Sequence, residues 1–200
     1  YGRAYPQFSS GIYVSRSEGN VISENVLSGN EWGVIVGSAG NNTIINNELV
    51  NNTHGVSIES TGNKLRDNNM TDNEYNFGVS SFPNDIDTSN TVNGKPIYYL
   101  TNQSNLLIDP STFMDIGYLG LIDCLNVTAR NLNLMNNGQG VLLINTVNST
   151  IAGNSITDNA IGVLADGSLN TVTGNTISNN GLGVYMHGDL NTILSNTVTN

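Results

Sequence analysis

The chain has 200 residues, 16 of them acidic against six basic, for a formal net charge of −10 with only 11 % charged residues. Nucleic-acid binding needs a basic footprint to neutralise phosphates, so that class is excluded, as is attraction to anionic lipid. No apolar run approaches the ~20 residues of a membrane helix, and the one cysteine, Cys124 in "LGLIDCL", allows no intrachain disulfide and reads as a small buried hydrophobe.

Asparagine dominates, with 35 residues beside 22 glycines, and both types tolerate left-handed backbone and make turns. Low-complexity Asn-rich tracts can be disordered, but here Val, Ile and Leu recur at fixed offsets from each asparagine. From the N-terminus, "GNVISENVLSGNEWGVIV" (19–36), "NNTIINNELVNNTHGVSI" (41–58) and "GNKLRDNNMTDNEYNFGVS" (62–80) align directly. Gly11, Gly33, Gly55 and Gly78 are 22, 22 and 23 apart, and Asn25, Asn47 and Asn68 are 22 and 21 apart. Within a repeat an asparagine recurs every fifth residue, with an aliphatic residue two places after it. The segments between asparagines are too short for helices and rich in Thr, Val and Ile, which favour strands. Each repeat therefore predicts three short strands with Asn or Gly at the corners.

The middle, 80–125, is irregular. Asn84-Asp-Ile86 and Asn90-Thr-Val92 keep the unit, Pro96-Ile97 stands where Gly-Val is expected, and Leu106 to Ile108 and Leu119 to Ile122 mark a further coil. Near 126–134 the register is open, because Asn133 falls where an apolar residue is expected. The beat then resumes in "NSTIAGNSITDNAIGVLA" (148–165) and "NTVTGNTISNNGLGVYM" (170–186), with Gly140, Gly162 and Gly183 separated by 22 and 21. Leucine-rich repeats share this period but need a helical return, for which no room is left. The expectation is an all-β, right-handed parallel β-helix over residues 1–200: one continuous solenoid of about nine coils of ~22 residues, rising about 4.8 Å per coil. Aliphatic residues stack inward, and the asparagine columns bond up and down the corners while themselves taking left-handed backbone.

At "DIDTSNTVNGKPIYYL" (85–100), with "NLNLMNNGQGVLL" (131–143), the chain resembles NosD-like repeat proteins. These are copper-maturation-type periplasmic proteins, and also cell-surface proteins of methanogenic archaea built from the same repeat. They belong to the wider set of β-helices linked to carbohydrate binding and sugar hydrolysis. The resemblance covers essentially the whole chain. The Asn repeat is general to the set, whereas the 85–100 stretch is more specific and points to the archaeal surface branch. The family implies export and a right-handed β-helix, and offers no settled catalytic motif to carry over.

β-Helix polysaccharide lyases resemble this architecture, with acidic residues holding Ca2+ and an Arg or Lys base. Only Arg3, Arg16, Arg66, Arg130, Lys64 and Lys95 are available. Lys64, Arg66 and Asp67 share a coil, where a solvated charged edge is the plainer reading. The N-T-D, D-D, G-H-G and R-I-K patterns of polygalacturonase-type hydrolases are absent, and "HGD" at His187–Asp189 is a fragment of that set. Hydrolysis usually needs two suitably spaced carboxylates. Glu59, Asp166 and His187 each lie four residues after a repeat glycine and so are expected in one column. Asp166, His187 and Asp189 are the candidate catalytic residues, against the plainer reading of a polar corner. Two His, one Cys and few Met give little support for copper, and neither a metal site nor a cofactor is assigned.

Trp32, His54 and Phe77 are expected to stack before successive glycines. Trp32, Tyr98, Tyr99 and Tyr118 are the candidate carbohydrate contacts, against packing of the corners and the insert. Ice binding would need a flat, regular Thr array, and the outward residue varies as Val21, Thr43, Lys64, Thr171 and Thr192. Glycosylation sequons occur at Asn41, Asn51, Asn69, Asn102, Asn126 and Asn148. Neither terminus resembles a capping coil, so the chain is expected to be part of a longer protein or to stack head to tail. The expected function is an extracellular, cell-surface β-helix module with a structural, spacer or self-assembly role and glycan contact. The alternative is a polysaccharide-active enzyme or its binding module.

Overall fold

A computed structural model describes residues 9–38 and 40–199 of the chain, and regular structure in them is entirely strand. Nine coils are present. Each begins with a long strand: Ser10–Ser15, Trp32–Gly37, His54–Glu59, Tyr75–Val79, Lys95–Thr101, Tyr118–Ile122, Gln139–Ile144, Ile161–Asp166 and Leu182–His187. Two short strands complete most coils, as Thr43–Ile45 and Glu48–Val50 do in the second. Successive coils pair in parallel, in register, at offsets of 21 or 22 residues. Short strands bury their central residue and turn its neighbours outward, so Ile44, Leu49, Leu65, Val172 and Ile177 are fully buried. A buried Val, Ile or Leu contributes roughly 1.5–3 kcal/mol.

Each corner divides its work between two adjacent residues. The residue before the column asparagine takes left-handed backbone: Glu24, Asn46 and Asp67 precede Asn25, Asn47 and Asn68 with φ of 59, 56 and 54°. The column asparagine is not left-handed, which corrects the sequence expectation. It turns its amide inward instead. Asn47 donates its backbone N–H (3.1 Å) and Nδ2 (2.9 Å) to Oδ1 of Asn68 one coil on, and Nδ2 also reaches the Ile22 carbonyl one coil back (2.9 Å). Each buried amide so satisfies corner groups that the strand ladders leave unpaired. Ladders run through Asn20, Asn42, Asn63 and Asn84, and through Asn154, Asn175 and Asn196.

Leu169 occupies a left-handed position, with φ of 61°, where a non-glycine side chain costs roughly 1–2 kcal/mol and asparagine is better tolerated. Leu169→Asn is expected to raise stability by about 1 kcal/mol, read as a higher urea midpoint. An unchanged or lower midpoint would mean that the half-exposed leucine recovers the strain through packing.

The expectation of one continuous stack fails at 93–94. Val92 pairs with Lys95 and Thr91 with Pro96 in an antiparallel hairpin, turned by Asn93 and Gly94 at φ of 49 and 74°, the asparagine–glycine chemistry of a two-residue hairpin loop. The pairing continues into one nine-stranded sheet, but strand direction reverses across the joint. The result is two stacks, of four and five coils, with separate cores. The long strands of the second stack serve both. Leu119, Leu121, Val141 and Leu143 face their own core, whereas Ile97, Tyr99, Tyr118, Ile122 and Leu142 pack on the other side into the core of the first stack. All five residues of Tyr118–Ile122 are therefore buried.

The seam has its own contacts. Phe77 meets Tyr118 edge to face at 4.9 Å between ring centres. Gln139 Oε1 accepts from the Tyr118 hydroxyl (3.0 Å) and the Val79 N–H (3.3 Å). A Cβ on Gly138 would meet the Cα of Gly78 at 3.0 Å, so this backbone approach requires glycine. The open register near 126–134 is also settled. Leu132 takes the column position, its N–H donating to Asn154 Oδ1 (3.0 Å), Asn133 faces outward and Leu134 is core. Cys124 is buried as expected, and burial raises its thiol pKa.

Candidate functional site

Where the second stack leaves the end of the first, a re-entrant groove of about 190 Å3 opens. Its first-stack wall carries Trp32, His54, Ser57, Glu59, Tyr75 and Ser80, and Gln139, Ala160 and Ile161 come from the second stack. The wall residues sit on long strands whose inward partners, Val34, Val56 and Phe77, are fixed in the core. Trp32 and His54 stack at 3.7 Å and 10°, and Tyr75 follows His54 at 5.3 Å and 42°. His54 Nδ1 lies 3.3 Å from the Glu31 carbonyl. Trp32 Nε1 is buried with no hydrogen-bond partner. Burial, then the charge of Glu74, raises the Tyr75 pKa.

The expected column of Trp32, His54 and Phe77 is corrected in its last member. Tyr75 pairs with His54, and Phe77 pairs with Val56 as a fully buried core residue. The step from this coil to the next is 21 residues, not the 23 that Gly78 suggested, and Asn47 to Asn68 carries the same 21. Tyr75, Ser57 and Gln139 were not singled out from the sequence, and that spacing is the signal that would have found Tyr75.

The other aromatic candidates separate. Tyr118 is fully buried and Tyr99 is 7 % exposed with its pKa pushed up to about 12 by burial, so neither reaches a glycan. Tyr98 is half-buried against Phe113, edge to face at 5.2 Å. Of the four proposed carbohydrate contacts, Trp32 alone lines the groove.

Asp166 and His187 pair across adjacent coils, with His187 Nδ1 2.9 Å from Asp166 Oδ1. The hydrogen bond to Asp166, then its charge, raises the His187 pKa. Glu59 is not in their column: it pairs with Gly37 in the first stack, while Ile144 stands beside Asp166. Asp189 donates its backbone N–H to Ser168 Oγ (3.1 Å). The His187–Asp166 link stabilises below the unfolded histidine pKa of about 6.5 and is lost as pH rises through the raised folded value. Asp166→Asn is therefore expected to lower the His187 titration midpoint seen by NMR. An unmoved midpoint would show that the pair does not persist in solution.

The remaining charges form structural pairs. Arg66 binds Asp85 (2.6 Å) and Asp87 (2.9 Å) of the next coil, and Arg130 binds Asp109 (2.9 Å). Hydrogen bonds from Ser111 and then Arg130 hold Asp109 well below the usual carboxylate range. Arg3 lies outside the described residues. The asparagines of all six sequons are exposed and none is a column asparagine. Column positions are followed two residues later by a core aliphatic, which excludes the Ser or Thr that a sequon needs.

Two family matches cover the chain. Residues 6–94 match the family described as periplasmic copper-binding protein (NosD), and residues 98–200 match the family described as right handed beta helix region. The boundary between them falls at the hairpin joint. No curated protein matches the chain. Copper belongs to the description of the first family, and the side chains here do not suit it. Among the described residues no three His, Cys, Asp or Glu side chains converge. Cys124 is buried, and His54 and His187 stand in different stacks. The second match spans just over half of the chain, and the fold of stacked parallel coils agrees with it. The chain thus belongs to the right-handed β-helix family, as a NosD-like repeat protein.

Proposed function

We propose that the chain is an exported, non-enzymatic β-helix module of a cell surface or envelope, a rigid spacer that contacts glycan through the groove between its stacks. The groove is the observation that carries this reading. It gathers an aromatic column, two serine hydroxyls and the Glu59 carboxylate in one concavity. An aromatic body beside hydrogen-bonding groups suits a sugar, whose ring faces are apolar and whose rim is hydroxyl. Export is supported by the periplasmic description of the matching family. The exposed sequons fit the same setting, since a glycan on Asn126 or Asn148 would leave the ladders untouched.

A glycan array followed by calorimetry on the best ligand tests the groove. Trp32→Ala and Glu59→Gln are each expected to weaken binding by about tenfold, the size of a modest hot spot. Glu59→Gln keeps shape and fold, so it separates lost contact from lost stability. An array without signal, or affinity indifferent to both changes, sinks the glycan reading. The alternative, a polysaccharide-active enzyme, draws on the His187–Asp166 contact. It would require polysaccharide cleavage that Asp166→Asn abolishes.

A further inference from the structure

The asparagine ladders have a direction. In every interior step the backbone N–H of one column asparagine donates to Oδ1 of the asparagine in the following coil: Asn20 to Asn42, Asn25 to Asn47, Asn170 to Asn191, Asn175 to Asn196. The two outer coils therefore differ in kind. In the first, Asn20, Asn25 and Asn30 send their donors inward to Asn42, Asn47 and Asn52, and their Oδ1 atoms accept nothing among the described residues. In the ninth, Asn191 and Asn196 accept from Asn170 and Asn175, and their backbone N–H groups donate to nothing among the described residues. One outer face offers acceptors and the other offers donors.

Apolar residues follow the same geometry. Ile193 and Val198 stand in the core columns of Val172 and Ile177, yet they are 54 % and 51 % exposed while those neighbours are fully buried. In the first coil the equivalent column residues are Ile22, beside Ile44, and Leu27, beside Leu49. Spacings agree as well, since Asn191 and Asn196 are five apart, as are Asn20 and Asn25.

We propose that the ninth coil of one molecule docks on the first coil of a second copy, head to tail. Asn191 and Asn196 N–H would donate to Asn20 and Asn25 Oδ1 of the next copy, with Ile193 and Val198 covering its Ile22 and Leu27. Two donor faces cannot satisfy one another, so the ladder forbids ninth-coil-to-ninth-coil pairing. The contact is heterologous and does not close, which gives linear filaments of no fixed length.

Light scattering and negative-stain electron microscopy of the 200-residue chain across a concentration series test this. The expected result is mass that grows with concentration without a plateau, and filaments one molecule wide. Val198→Asp is expected to abolish growth of the pure variant. Added to wild-type chain below stoichiometry it shortens the filaments, because its intact first coil still docks and its ninth coil ends growth. Thr176→Asp, on an exposed face away from both outer coils, should leave filaments unchanged. A monomer at high concentration overturns the proposal. So does a mass that plateaus at a dimer, which would mark a symmetric contact, or growth that Val198→Asp leaves intact.

Discussion

Replacing Asn68 by leucine is expected to cost about 3–6 kcal/mol, because two or three buried polar groups lose partners at about 1–3 kcal/mol each. Asn68 is 1 % exposed. Its Nδ2 donates to the Ile44 carbonyl and to Asn90 Oδ1, both at 2.8 Å, and its Oδ1 accepts from the N–H and Nδ2 of Asn47. Leucine fills similar space, so the change removes bonding rather than volume. Asp67, next door, is left-handed and exposed. Asp67→Gly relieves that strain and is expected to shift stability by no more than about 1 kcal/mol in either direction. Urea unfolding of both variants gives the contrast. Similar losses would show that the buried amides matter no more than the exposed corner residues beside them.

Ile177→Asp is expected to be as severe, above about 4 kcal/mol, since it places an unpaired charge in a dry core. Ile177 is fully buried between Ile156 and Val198. Thr176, one residue earlier, is exposed, and Thr176→Asp should stay within about 0.5 kcal/mol. In a stacked array each coil touches only its neighbours, so the damage has a location. Hydrogen exchange should rise in coils seven to nine while the first stack, behind its own core, keeps its protection. Equal losses from the two substitutions would contradict the strand register.

The repeat was legible because it is redundant. Any two aligned coils identify the core column, and Ile44, Leu65, Val172 and Ile177 stand where the five-residue beat places them. The joint was not legible, although its letters were plain. "VNGK" is a hairpin signal, but Val92 and Ile97 also fit the helical beat, and periodicity records spacing without recording strand direction. The same ambiguity hid the fate of Tyr99 and Tyr118. In an ordinary coil alternate residues face water, whereas here both faces of one sheet are interior. Tyr75 was missed for a smaller reason: a glycine landmark was followed where the asparagine spacing was the better ruler. His187 and Asp166 were read correctly as coil neighbours because they lie in the regular half, and Glu59 was misplaced because its column ends at the joint.

The hairpin at Asn93-Gly94 also sets the order in which the molecule can become structured. Every other strand pairing joins residues 21 or 22 apart, whereas Val92 and Lys95 are neighbours across a two-residue loop. Loop-closure entropy rises by about 0.6 kcal/mol per doubling of length, so the hairpin forms at roughly 2 kcal/mol less cost than any coil-to-coil contact. Ordering that begins there has two fronts, one travelling back toward the first coil and one forward toward the ninth. Each new coil finds a finished edge to template it. The outer coils, which would carry the contact between molecules, are then the last to form, so docking waits on the completion of folding.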